Sequence, residues 1–269
     1  MKHIFLPFGR DGIDRAPVEV AAHVAELHDG KVVAMFYPRP VESPLVDPMG
    51  VGIIDYNDKG PDLAREADEA LDAMRKRVSG IGELAARVTL IEEPMRARFG
   101  VGEAARLYDV TIVGKNDDTD WRAVFETALF EGGRAVMLTP PGWTRPCGET
   151  VAIAWNHSTE TARLVGQAMP ALKAAKSVKV IAIDGWAVPG PDGSALVEYL
   201  KVHGVAVELA MAERSMRGPG ADILDKAEAL GVDLLLKGAY TQSRLRQMIF
   251  GGATSDIISD ATMPVVFAH

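Results

Sequence analysis

Apolar residues along this chain gather in short runs, and the runs recur in a fixed order. Five segments rich in β-branched residues come first: His3–Phe8, Lys31–Phe36, Arg87–Ile91, Val110–Gly114 and Ala135–Thr139. Five more follow in the same order: Thr150–Trp155, Val178–Ile183, Val205–Leu209, Asp233–Gly238 and Pro264–Ala268. Runs of this length and composition mark strands buried on both faces. Between them lie stretches with helical spacing, in which Arg15–Leu27 answers Glu160–Leu172 and Val101–Leu107 answers Ala221–Leu230. Strand alternating with helix predicts an α/β fold whose parallel sheets are covered on both faces. The repetition predicts duplication, with five strands per copy. The border falls in PPGWTRPCG, residues 140–148, whose three prolines and two glycines continue neither element. The expected domains are therefore residues 1–143 and 149–269.

The copies differ chiefly between their second and third strands. The first carries YPRPVESPLVDPMGVGIIDYNDKGP, residues 37–61, ahead of a helix over Asp62–Val78, whereas GWAVPGPDG, residues 185–193, bridges that interval in the second. A loop as long as 37–61 is either a packed surface loop or a lid or partner loop.

Composition narrows the function classes. The 269 residues are 48% apolar and 25% charged, with a formal net charge of -8. An acidic balance opposes nucleic-acid binding, which requires a basic face, but leaves room for a small phosphorylated ligand held by a local field. No apolar run has the length of a membrane span. The opening MKHIFLPFGRDG is interrupted too soon for a secretory signal, and the single cysteine, Cys147, has no intrachain partner. A cytoplasmic location is expected.

The most specific chemistry lies in residues 237–269, KGAYTQSRLRQMIFGGATSDIISDATMPVVFAH. A strand ending at Gly238, a segment punctuated by Gly251-Gly252 and a helix start can bring backbone N–H groups around an anion. Here the chain resembles the universal stress protein family, whose nucleotide-binding members hold ATP phosphates in a loop of glycine, two residues, glycine, nine residues, glycine and then serine or threonine. Gly238 takes the first position and Thr241 stands at the second glycine. Nine residues follow to Gly251, with Gly252 in place of the hydroxyl residue. The ending Met263-Pro264-Val265-Val266 strengthens the resemblance, which covers nearly the whole chain apart from residues 37–61.

The resemblance implies two five-stranded parallel-sheet domains of strand order 3-2-1-4-5, with the ligand where strands one and four diverge. In the second copy the candidate ligand contacts are Asn156, Ile183, Gly238, Thr241, Arg244, Gly251, Gly252 and Thr254. Asn156 stands where nucleotide-binding relatives carry an aspartate. Its amide both donates and accepts hydrogen bonds. Thr254 offers a hydroxyl, and Arg244 with Arg246 offers positive charge. The alternative is that the glycines are turn residues and the arginines a solvated face. Ser158 is expected to be a helix N-cap, with Glu160 in the first turn. In the first copy Asp117 falls at the second glycine position and repels phosphate, so that half is expected to be structural; Lys115 offsets part of the charge.

Other patterns carry less. Gly100-Val101-Gly102 and Gly218-Pro219-Gly220 read as helix-entry glycines rather than a dinucleotide fingerprint, because residues 92–99 separate the first from its strand. Asp117, Asp118 and Asp120 lack the spacing of a calcium loop, and the six histidines show no metal-ligand spacing. His157 alone lies near the expected site. No nucleophile elbow or complete P-loop is present. The resemblance therefore implies a stress-response protein binding a small ligand, ATP or another adenine nucleotide with Mg²⁺ accompanying only the nucleotide, and no catalytic constellation. A slow ATPase and a nucleotide-independent interaction module are the alternatives. The last strands, Ala135–Thr139 and Pro264–Ala268, are expected to pair with each other and make an intramolecular pseudo-dimer. Homodimers of the tandem chain would then form through another surface.

Overall fold

A computed structural model describes residues 1–9, 14–37, 60–91, 100–116, 120–240 and 252–269. The first half runs β1 (His3–Phe8), α1 (Arg15–Leu27), β2 (Lys31–Phe36), α2 (Gly60–Ser79), a 3-10 turn (Gly82–Arg87), β3 (Val88–Ile91), α3 (Val101–Ala105), β4 (Val110–Gly114), α4 (Asp120–Glu131) and β5 (Ala135–Thr139). The second runs β6 (Thr150–Ala154), α5 (Thr159–Ala174), β7 (Ser177–Ile183), α6 (Gly193–Val202), β8 (Val207–Ala212), α7 (Pro219–Ala229), β9 (Leu234–Gly238), α8 (Ala253–Asp260) and β10 (Val265–Ala268). No helix among the described residues is long and apolar enough to cross a membrane.

All ten strands lie in one sheet, in the order β3-β2-β1-β4-β5-β10-β9-β6-β7-β8. Each half has the order 3-2-1-4-5 within itself, and its strands are parallel. The last strands pair as expected: β10 pairs β5 antiparallel with Val265 opposite Leu138, Val266 opposite Met137 and Phe267 opposite Val136, and this seam joins the two five-stranded halves into one sheet. Each last strand would otherwise present unpaired N–H and C=O groups, and one pairing removes both edges. Across the seam the Phe125 ring of α4 meets Phe267 edge-on at 5.4 Å, so the two cores are continuous.

Several contacts recur in both halves. Asp109, just before β4, accepts the N–H groups of Lys2 (2.6 Å) and His3 (3.1 Å). Asp233, just before β9, accepts those of Gly148 (2.7 Å), Glu149 (3.2 Å) and Thr150 (3.1 Å). Each carboxylate thus anchors the start of the strand beside its own. β9 itself begins at Leu234, one residue later than expected. The third strand of the second half begins two residues later than expected because Val205 donates its N–H to Leu200 and closes α6. Glycines before and within α3 and α7 also repeat. A Cβ on Gly102 would lie 2.5 Å from that of Glu131, and one on Gly220 would lie 2.5 Å from that of Asp256. These glycines let α3 approach α4, and α7 approach α8, more closely than a side chain permits. Entry into the helix is the role of Gly100 and Gly218, the N-caps.

Candidate functional site

Strands β6 and β9 are neighbours whose following connections depart in opposite directions along the sheet, which makes their carboxyl ends the crevice where ligands bind in open α/β sheets. Beyond β6 the chain passes Trp155, Asn156 and His157, the last with φ +65, and enters α5 at Ser158. Ser158 Oγ accepts from the N–H of Thr161 at 3.2 Å, so it is the N-cap. Glu160 lies in the first turn, where the helix dipole favours an anion. Thr161 Oγ1 meets Ser158 Oγ at 3.1 Å and donates to Asn156 Oδ1 at 2.8 Å. Asn156 is 4% exposed, and its Nδ2 has no hydrogen-bond partner among the described residues. Its acceptor therefore positions the helix entry.

The connection between β7 and α6 folds over this turn. Val188 donates its N–H to Asn156 O at 3.1 Å, and Trp155 donates Nε1–H to Pro191 O at 2.9 Å. His157 Nδ1 lies 3.0 Å from Val188 O; a carbonyl only accepts, so Nδ1 carries the hydrogen. A Cβ on Gly190 would stand 2.9 Å from that of His157, so the crossing needs glycine there.

At the end of β9, Gly238 faces α5 directly. A Cβ there would come within 2.6 Å of the Thr161 backbone nitrogen and closer still to its hydroxyl. Gly238 and Asn156 thus converge on one residue, Thr161, which sequence reasoning passed over. It also passed over Lys237, whose side chain is 1% exposed. The ammonium donates to Gly238 O and lies 5.6 Å from the centroid of the Trp186 ring. Burial pushes it down to about 8, against a smaller upward pull from Glu160. The signal was a lysine ending the run LLLKG, where every other strand residue before glycine is apolar.

Trp186 and Ile183 also line a cavity of about 260 Å³, completed by Arg214, Ser215, Gly218 and Pro219 from the connection between β8 and α7. Ile183 is the expected residue that this cavity gathers. Ser215 is held by Asp222, which accepts from both its hydroxyl and its N–H and lies below the usual carboxylate range for that reason. Gly252, with φ +148, is the N-cap of α8. Thr254 lies on the buried stripe Ala253, Thr254, Ile257 and Ile258 of that helix. Thr241, Arg244 and Gly251, with Arg246, lie outside the described residues, as do Asp117, Asp118 and residues 38–59 of the long insert. Among the described residues no group of three or more His, Cys, Asp or Glu side chains is placed to hold a metal ion.

In the first half, a Cβ on Gly114 would lie 2.7 Å from Pro17 Cγ, so this glycine repeats the packing role of Gly238. Lys115 is not turned to an anion. Its ammonium donates to Ile258 O at 3.1 Å and to Ser259 O, capping the carboxyl end of α8 from across the seam.

No known family profile matches the chain, and no curated protein matches it by sequence. Solved structures do. A universal stress protein from Archaeoglobus fulgidus superposes with a TM-score of 0.70 at 16% identity, over 99% of this chain and 95% of that one. A provisionally assigned universal stress protein from Pseudomonas aeruginosa UCBPP-PA14 gives 0.54 at 13% identity, over 100% and 93%. A universal stress protein in complex with cAMP matches 45% of this chain and 96% of its own at 19% identity, with a TM-score of 0.37. The order 3-2-1-4-5 in each half and the end-to-end match in the first two structures lead to one conclusion: this chain has the universal stress protein fold, twice over in a single polypeptide.

Proposed function

We propose that the chain is a tandem universal stress protein of the cytoplasm, with domains 1–143 and 149–269, that binds an adenine nucleotide at the carboxyl end of its second half and catalyses no reaction on it. The observation carrying this reading is the meeting of Asn156 and Gly238 on Thr161. It leaves the Asn156 amide donor without a partner among the described residues, beside the strand end that precedes the glycine-punctuated segment. An amide donor suits a base edge or a ribose hydroxyl. Gly251 and Gly252 would admit phosphates close to the backbone, and Mg²⁺ would enter only with them. The first half has a structural role, since its Lys115 is committed to α8.

The test is thermal melting of the full chain with ATP, ADP and AMP, with and without magnesium. A ligand at a hundred times its Kd stabilises by about 2.7 kcal/mol, which melting resolves easily. A rise with at least one nucleotide is expected, and none with any of the three overturns the reading. Accumulation of ADP in the ATP sample would identify a slow ATPase instead.

A further inference from the structure

Lys237 is the only buried lysine among the described residues. An ammonium has three N–H donors. Here one is taken by the carbonyl of the next residue, and no carboxylate lies within ion-pair distance among the described residues. Glu160 acts on it only from farther off. A buried cation left this way is costly, and an apolar side chain at the same point of β9 would not carry the cost. The position is specific. Lys237 pairs with Ala154 of β6 and Phe267 of β10 and immediately precedes Gly238. Trp186 links it to the adjacent cavity, since the ring faces the ammonium and also walls the space shared by Ile183 and the Arg214 side chain.

We infer that Lys237 is the countercharge for the ligand's anionic group, a phosphate or carboxylate held at the end of β9 beside Trp186, with Arg214 as a second cation at the cavity. The inference rests on the reading that this end of the second half binds a small ligand. It adds that the ligand is recognised by charge at the strand end, apart from any contribution of the glycine-punctuated segment. Binding supplies charge-assisted hydrogen bonds to the two donors that have no partner among the described residues. It also raises the proton affinity of Lys237, because a nearby anion favours the charged form.

The experiment follows the Lys237 side chain by nuclear magnetic resonance of its ¹³Cε in the full chain, titrated against pH with inorganic phosphate, acetate, AMP or adenosine. Free protein is expected to titrate near about 8. Inorganic phosphate and AMP are expected to raise the midpoint to about 9 or higher, and adenosine to leave it in place. A response to acetate equal to that for phosphate assigns the site to carboxylates. In parallel, Lys237→Met is expected to fold and to bind inorganic phosphate at least about tenfold more weakly, the loss of one charged hydrogen-bonding partner. Equal affinity of the two proteins overturns the inference, as does a midpoint that no anion moves. If Lys237→Met does not fold, the titration decides alone. Should phosphate move the midpoint while no adenine nucleotide raises the melting temperature, Lys237 keeps its role and the nucleotide reading falls.

Discussion

Single atoms decide several positions here. Gly238→Ala would drive a methyl group into the backbone of Thr161 at the entry of α5. A loss of about 1–3 kcal/mol, the usual cost of overpacking, is expected in urea unfolding. Gly166 is the opposite case. It sits exposed within α5 and a Cβ there meets nothing within 4 Å, so Gly166→Ala should stabilise by about 0.5–1 kcal/mol. His28, at the end of α1, contributes a pH dependence. Burial and then the N-terminal ammonium push it down to about 4. The folded chain therefore resists a proton that the unfolded chain accepts near about 6.5. This contribution is complete above that pH and declines as pH falls toward 4. His28→Gln should flatten that part of the stability curve, and an unchanged slope would assign the decline to other groups. At this scale the sequence was partly legible. Ser158 as N-cap could be read from Ser-Thr-Glu before an apolar stripe, because capping is local. Thr161 could not, since its significance lies in what a distant strand brings beside it, whereas Lys237 left a trace as the one charged residue of LLLKG.

At the scale of elements, the glycines around α3 and α7 join helices as well as opening them. Gly220→Ala should separate α7 from α8, and Gly102→Ala should separate α3 from α4, each by crowding the facing helix. Their sequence context, glycine-x-glycine before a helix, announced the entry but not the partner helix. The capping of α8 by Lys115 joins elements from different halves. A cation at a helix carboxyl end contributes about 0.3–1 kcal/mol through the dipole. Lys115→Met should accordingly speed amide exchange at Ile257–Ala261 while leaving β4 protected. Equal acceleration in β4 would mean that the lysine supports its own strand instead. The third strand of the second half illustrates the limit of pattern reading, since the apolar run at Val205 was visible but its use in closing α6 was not.

For the whole molecule, duplication was legible because each copy repeats the same succession of buried runs, whereas the strand order came only with the resemblance to universal stress proteins. The expected pairing of the last strands followed from their exposed edges. That pairing joins the halves into one sheet, which an account in terms of two five-stranded units leaves out. Phe267 is the test of the seam. It is fully buried and touches Phe125 of the other half, so Phe267→Ala should cost about 3–5 kcal/mol in urea unfolding. Slow amide exchange at Val265–Ala268 should accompany it in the unaltered protein, and rapid exchange there would show the seam to be open. Because β5 and β10 run antiparallel, the carboxyl ends of the two sets of strands point in opposite directions. The carboxyl end of β2 and the crevice beside Gly238 therefore lie at opposite ends of the strands. At each end the last helix of the other half makes contact: Phe130 of α4 meets Tyr240 and His269 at 5.0 Å, and α8 meets Lys115. A protease cut within residues 140–149 should therefore leave the halves associated, held by the β5–β10 ladder and by these reciprocal helix contacts.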